Sequence, residues 1–588
     1  MKPTLTLLTV ALFFRAAHSQ ESPPMVVHEW GTFTSLQDES GQAISGLNTD
    51  DEPVPDFVHT TLDMMVSPTQ LPPSFLGKFP GSVGFFGKGI PGLHLDVTMR
   101  LETPVMYFYP PEGTAEPVEM DVKASFRGGW LTEYYPRATA ETPGLVLEQG
   151  GGRVVGGINE RTMGSLTWEG LRIGVEAALP KTDAEVWLAP RRVRAASIST
   201  PNGESEKYLF YRGIGHLDAM LRVYRSADGE WLDIRRQPFP TAGEPTGATI
   251  GSSWLAHIRA DGSCAFLTIG ALEMSGETAD VLARVSAHFA EREFSPSNLK
   301  LLRADMHRAL VAEGLFADEA DAMLDTWQEA YFHSPGLRLF FTVPQEWTDH
   351  FLPLEFSAPV ELTRIMVGRI EVVTPKQRAL LAEIAARPVE SFPTETLAAL
   401  FEEDGGGEQW ESEIFQRVQK GTLDLEELGV PLPATFAAYL DLGRLRNALI
   451  LNEQAVRPTS HLWDFINTHG LSGYQPPAIA ENQETVVREE WDQTLPARFA
   501  LEQNYPNPFN SETSLRFALP QPTTVELAVY NLAGQQVAQL VYGQRPAGLY
   551  AVHWDGRSDA GRSLATGVYL YRLQTEGQTL TRKLLLLR

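Results

Sequence analysis

Five side chains near the start of the chain are of the types that hold a hydrolytic metal: His28, Glu29, His59, His94 and Asp96. Neutral imidazole and carboxylate are zinc ligands, and three of them beside an open position would activate a water. His94 and Asp96 lie two apart in the alternating run from Leu93 to Glu102, which predicts a strand with both on one face. The same pair reads as an ordinary hydrogen-bonded surface pair, and because the five are scattered with no diagnostic spacing, no metal is expected. Other reactive patterns fail on spacing. His28-Glu29 has no second histidine four residues after the first, as a metalloprotease helix requires. No Gly-x-Ser-x-Gly nucleophile elbow occurs. Gly81 to Lys88 has its glycines one residue too far apart for a phosphate loop, and Gly89 stands where Ser or Thr is needed. Gly150 to Gly156 has the wrong spacing for a dinucleotide. None of these patterns calls for a cofactor.

Aromatics offer a second chemistry. Trp30, Tyr107, Tyr109, Trp130, Tyr134 and Tyr135 would line a sugar-binding groove, or else fill a core. Tyr211-Arg212 would hold a carboxylate or phosphate, or pair with one of the many acids. The passenger's activity therefore stays open between a metal-dependent hydrolase, a carbohydrate-binding surface protein and a scaffold, and these residues do not decide whether it is an enzyme. The lone cysteine, Cys264, sits in the apolar run Ser263–Leu267 and reads as a buried thiol. With one cysteine, neither an internal disulfide nor a cysteine-rich metal site forms.

The elements that must position these residues follow from the hydrophobic pattern. At 588 residues, with 43% hydrophobic and 21% charged, the chain is ordinary globular material divided among several cores. Its net charge of −26 argues against nucleic acid or an anionic membrane surface as partner. Residues 20–275 are rich in short alternating runs broken by Gly and Pro, which predicts a β-rich region. Residues 276–470 read as mixed and mainly helical, with apolar residues at helical spacing over 278–289, 297–315 and 317–332. Met323, Trp327 and Tyr331 form one stripe of the last helix. Strands are expected at 337–343 and 364–373, then a helix capped by Thr374 with Pro375 at its first position. Residues 471–495, with Pro476-Pro477 and no periodicity, read as a linker that implies few contacts between the regions it joins.

The two ends are the most specific parts. Lys2, the apolar run Leu5–Phe14 and the small-x-small step Ala17-His18-Ser19 predict a signal peptide over 1–19, read by the Sec translocon and signal peptidase. No stretch reaches the roughly 18 consecutive apolar residues of a membrane span, so no transmembrane segment is expected. From about 496, seven short alternating runs with Gly and Asn turns predict an antiparallel Ig-like β-sandwich.

Within it stand Tyr505-Pro506-Asn507-Pro508-Phe509-Asn510, Val529-Tyr530-Asn531-Leu532-x-Gly534, the steps Gly548-x-Tyr550 and Gly567-x-Tyr569, and a final run from Lys583 to Arg588. By these motifs residues 496–588 resemble the type A sorting domain of type IX secretion cargo. Trp554 to Arg557 also resembles the Ig-like domain of flagellar hook-capping proteins. The first resemblance implies a protein exported through the periplasm to the cell surface or medium, with the type IX translocon as partner of the C-terminal domain. Arg588 departs from the lysine at which many relatives end, with the charge kept. The string Val27–Thr34, with Tyr211-Arg212-Gly213 and the run from Val367-Gly368-Arg369 to Pro375, resembles uncharacterised secreted bacterial proteins and implies no activity.

Overall fold

The structure is a computed structural model. It describes residues 24–587 except 49–53, 62–85, 88–89, 92–93, 145, 150–151, 238–247, 275–279, 391–431, 470, 472–486, 491–497, 511–512, 522, 546, 559–562 and 576. The signal segment, Gly405-Gly406-Gly407, Pro476-Pro477 and Arg588 lie outside the described residues.

The chain folds as a multidomain α+β protein, with a β-rich N-terminal region, a mixed helical middle and a C-terminal Ig-like sandwich. The passenger is organised on one large sheet. Its main strands are β1 (Met25–Gln37), β2 (Met99–Tyr109), β3 (Val118–Arg127), β4 (Gly129–Tyr135), β5 (Met163–Ile173), β6 (Leu209–Gly215), β7 (Ser253–Ile258) and β8 (Cys264–Thr268). Two helices follow, α1 (Asn298–Glu313) and α2 (Ala317–Thr326). Then come β9 (Gly336–Val343) and β10 (Val360–Val372). The spatial order is β5-β4-β6-β2-β1-β10-β9-β7-β8, with β3 on β5. Strands from both sides of residue 275 thus share one sheet.

β1 lies at its centre, antiparallel to β2 and parallel to β10 from Met25↔Val360 to Gln37↔Val372. A strand so placed is covered on both faces, so the whole of Val27–Thr34 is buried apart from a partly buried Val26 before it. On one face Val27, Phe33, Leu101, Phe108, Leu339 and Phe341 join a core. On the other, Trp30, Tyr107, Phe340 and Val367 pack against Leu302 and Met306 of α1, Met323 of α2, and Trp327. Gly368 belongs to this packing: a Cβ there would lie 2.3 Å from the Phe341 ring. The glycine makes room for the edge-on Phe33–Phe341 pair, whose centroids are 5.9 Å apart.

β10 runs into α3 (Pro375–Ala386) through the expected cap. Thr374 Oγ1 accepts from Gln377 N at 3.2 Å, and Gln377 Oε1 accepts from Thr374 N at 2.9 Å. With α4 (Ala434–Asp441), α5 (Arg446–Val456) and α6 (Ser460–Thr468), α3 builds a third core against Leu36, Val97, Trp130 and Val373.

Two expectations are corrected. The helix expected over 278–289 is, in its described part, the strand Val281–Ser286. It pairs with Trp231–Arg236, and Arg284 Nε reaches Asp233 Oδ1 at 2.5 Å. A paired neighbour with an opposite charge in register overrides helical spacing. His94 and Asp96 do not share a strand face, because they stand in a turn before β2, closed by Val97 N to His94 O at 3.0 Å. The charged side chains that follow on β2 pair inside the protein: Arg100 and Glu102 are fully buried, joined at 2.6 Å, with Thr34 Oγ1 donating to Glu102 at 2.7 Å.

The sandwich comprises β11 (Val487–Glu490), β12 (Ala500–Leu501), β13 (Thr513–Leu519), β14 (Thr523–Tyr530), β15 (Gln536–Arg545), β16 (Gly548–Trp554), β17 (Gly567–Thr575) and β18 (Thr579–Leu586). One sheet is β11-β16-β13-β12 and the other β15-β14-β17-β18. β11 comes from the stretch read as linker. The sandwich meets the passenger at a charged junction. Arg222 Nη1 meets Glu502 Oε1 at 3.3 Å, across 280 residues of sequence. That contact joins charges on two folded surfaces, which the composition of the connecting stretch does not report.

Candidate functional site

The five candidate metal ligands do not converge. His28 projects from β1, and its Nδ1 bonds Glu319 Oε2 at 2.8 Å. Glu319 also accepts Tyr109 OH at 2.7 Å and Phe316 N at 2.7 Å, the latter closing the first turn of α2. Burial, and then Glu319, hold the Tyr109 phenol well above its ordinary range. A hydrogen-bonded carboxylate and imidazole resemble a general-base pair. Here the carboxylate fastens a helix start to the sheet. Replacing Glu319 with alanine leaves three donors without their acceptor and is expected to destabilise the passenger by about 3 kcal/mol. Equilibrium urea unfolding measures this, and an unchanged midpoint would refute the role.

Glu29 points elsewhere. It accepts Arg364 Nε at 2.7 Å and also the Tyr211 hydroxyl, and both charged side chains of the pair are fully buried. Arg364 Nη1 continues to Asp349 at 2.9 Å. Burial opposes the Arg364 charge, but Glu29 outweighs it and keeps the guanidinium more basic than usual. His59 lies in a short strand on β4, bonded to Glu204 at 3.0 Å and to Arg137 at 3.2 Å. His94 is buried with Nε2 at 3.0 Å from Gly156 O, and Asp96 accepts Ile158 N at 3.1 Å. Burial holds the His94 imidazole below its ordinary value, against the pull of Asp96. Each candidate thus spends its bonds on a different partner. Among the described residues no three His, Cys, Asp or Glu side chains are grouped to hold a metal.

The aromatic groove dissolves in the same way. Trp30, Tyr107, Trp130, Tyr134 and Tyr135 are all core residues. Arg212 lies 3.6 Å from Glu133, both buried. Cys264 is buried, and that burial pushes its thiol up to about 11.

The C-terminal motifs, by contrast, come together. The entry Tyr505–Asn510 lies beside β18: Phe509 N donates to Leu585 O at 3.0 Å, and Leu587 N to Phe509 O at 2.8 Å. Asn507 Oδ1 accepts Leu585 N at 2.7 Å. Pro506 O accepts Thr513 Oγ1 at 2.8 Å, tying the entry to β13. The Phe509 ring packs on Trp554 at 5.5 Å. Gly534 closes the β14–β15 turn with a left-handed φ of 77°, which glycine adopts without strain. Both Gly-x-Tyr steps open interior strands and drive tyrosine inward. Tyr550 stacks on Phe517 at 4.9 Å, and Tyr569 OH donates to Ala565 O at 2.9 Å. Lys583 Nζ donates to Val456 O at the end of α5, at 3.1 Å.

Residues 505–578 match the FlgD Ig-like domain family. Among solved structures, FLGD from P. aeruginosa is 30% identical over 13% of this chain, which spans 60% of that chain's length, with a TM-score of 0.11. Dimeric latent PorU from Porphyromonas gingivalis is 8% identical, covering 83% of this chain and 31% of that one, with a TM-score of 0.15. The DNA-bound alkylpurine DNA glycosylase AlkC from Pseudomonas fluorescens is 14% identical over 35% of this chain and 55% of that one, with a TM-score of 0.12. No curated protein matches the chain. The C-terminal domain is an Ig-like sandwich by its two sheets and by the family match. Among the described residues no helix is long and apolar enough to cross a membrane.

Sequence reasoning missed Glu319, Arg364 and the residues where passenger meets sandwich, Asp218 and Arg222 on one side and Glu502 and Arg516 on the other. Arg516 left one signal: it alternates with the buried Leu515 and Phe517 on β13, which turns it outward from the sandwich core.

Proposed function

We propose that the chain is an exported cargo of the type IX secretion system. In this reading residues 1–19 are the signal peptide read by the Sec translocon and signal peptidase. Residues 20–470 are the passenger, and residues 496–588 address it to the outer-membrane translocon. The observation that carries the reading is the meeting of the entry motif with the final strand through Asn507, Phe509 and Leu585. Two strings far apart in sequence thus form one corner of the sandwich, and a carrier could read them together there. Gly534, Gly548, Tyr550, Gly567 and Tyr569 shape the domain behind that corner, and Lys583 and Arg588 add positive charge. The destination is the cell surface or the medium, by way of the periplasm.

A transplant tests this. Residues 487–588 fused behind a Sec-exported reporter, in a host with a type IX system, are expected to carry the reporter to the surface. Retention of the folded fusion in the periplasm would overturn the assignment of the signal to this domain.

A further inference from the structure

We propose that the passenger masks the sorting sandwich, and that this docked arrangement opens before the carrier reads the domain. The inference rests on the cargo reading above and adds a regulatory contact to it. The docking is reciprocal in charge. The passenger offers Arg222, which meets Glu502 of the sandwich at 3.3 Å and its own Asp218 at 3.1 Å. The sandwich offers Arg516, which bonds Glu160 of the passenger and lies 3.6 Å from Asp218. Each body thus supplies an arginine to the other's carboxylate, a pattern that fixes one orientation and penalises others. Arg222 is buried to 4% side-chain exposure and Arg516 to 12%, so both guanidiniums lie within the contact, while Glu160 keeps 29% of its side chain exposed.

What the contact covers is motif. The His216 ring packs on the Tyr505 ring at 4.8 Å, and His216 is held in place by its Nδ1 bonding Asp96 O at 2.9 Å. The Tyr505 hydroxyl, Ser514 Oγ and Arg516 Nε are buried there without a hydrogen-bond partner among the described residues. These three polar atoms are left unspent by the docked arrangement and become available when it opens. At the far end of the domain, Lys583 is tied to Val456 O of the helical region. Tyr505 begins the entry motif and Lys583 the final one, so the passenger engages both strings that the cargo reading assigns to the carrier.

The test uses the full chain with R516E, E160R alone, and R516E combined with E160R. Hydrogen exchange on the purified proteins reads docking at residues 502–506 and 216–222. Either single variant places like charges face to face and is expected to speed exchange there about tenfold or more, with the double variant restored toward the parent. E160R lies outside the sandwich, so it keeps the test decisive if R516E fails to fold. Pulse-chase export in a type IX host reads masking: the opened variants are expected to reach the surface at about twice the parent's rate or faster, as a population shift toward the competent state requires. Unchanged exchange overturns the docking. Faster exchange with an unchanged or slower rate of surface arrival overturns the masking. A chain ending at 495, run beside them, separates the two ideas. If it too reaches the surface, the cargo reading fails. If it is retained while the opened variants match the parent, only the masking fails.

Discussion

Replacing Glu29 with alanine is expected to cost the passenger about 3–5 kcal/mol, the range for removing one member of a buried ion pair. Glu29 and Arg364 are both fully buried, bonded at 2.7 Å through Nε, and Tyr211 closes the second carboxylate oxygen. Without Glu29 the Arg364 guanidinium keeps Asp349 as its carboxylate partner, and that side chain is half exposed. The Tyr211 hydroxyl, whose ionisation burial pushes well above its ordinary range, loses its acceptor. Glutamine at position 29 keeps a bond for Tyr211 and is expected to cost less. Replacing Glu29 and Arg364 together by apolar residues is expected to cost less than either single change, because no unpaired charge remains. Urea unfolding followed by tryptophan fluorescence measures the series. A single-variant midpoint equal to the parent's would contradict the assignment of this pair to the centre of the fold.

That centre was partly legible. The strings Val27–Thr34, Tyr211–Gly213 and Val367–Arg369 stand apart in sequence, yet they lie on β1, β6 and β10 of one sheet. Glu29 meets Tyr211, and Tyr331 OH meets Thr32. What marks the strings as a group is therefore packing and buried polar pairing, with Gly368 giving way to Phe341. Alternation identified β2 as a strand, but the polar half of the pattern was misleading. Alternation signals a solvated face only when that face has no cover, and here helices and further charges cover it, so Arg100 and Glu102 pair inside. The proposed ligand cluster failed for a related reason. Sequence proximity put His28, Glu29, His59, His94 and Asp96 in one region, while folding gave each a partner from elsewhere, such as Glu319 for His28 across 291 residues.

The sandwich was more legible because its signals are local. Gly534 needs its left-handed turn, and Tyr550 and Tyr569 follow their glycines into the core. The thread from Thr374 into α3 was legible on the same ground, since a cap spans only four residues. The junction was not legible, because Arg222 and Glu502 acquire meaning only when two surfaces meet. Burial pushes the Glu502 carboxyl up to about 7 there, against the pull of Arg222.

If the C-terminal sandwich is the export address, as proposed, a chain without it stays in the periplasm. The measurement is the fraction of protein at the surface or in the medium of a type IX host, for the full chain and for the chain ending at residue 495. Among the described residues the passenger has three cores of its own, separate from that of the sandwich, so the shortened chain is expected to fold. The prediction is export of the full chain and periplasmic retention of the shortened one, intact and folded. Equal surface yield from both would place the export address outside residues 496–588.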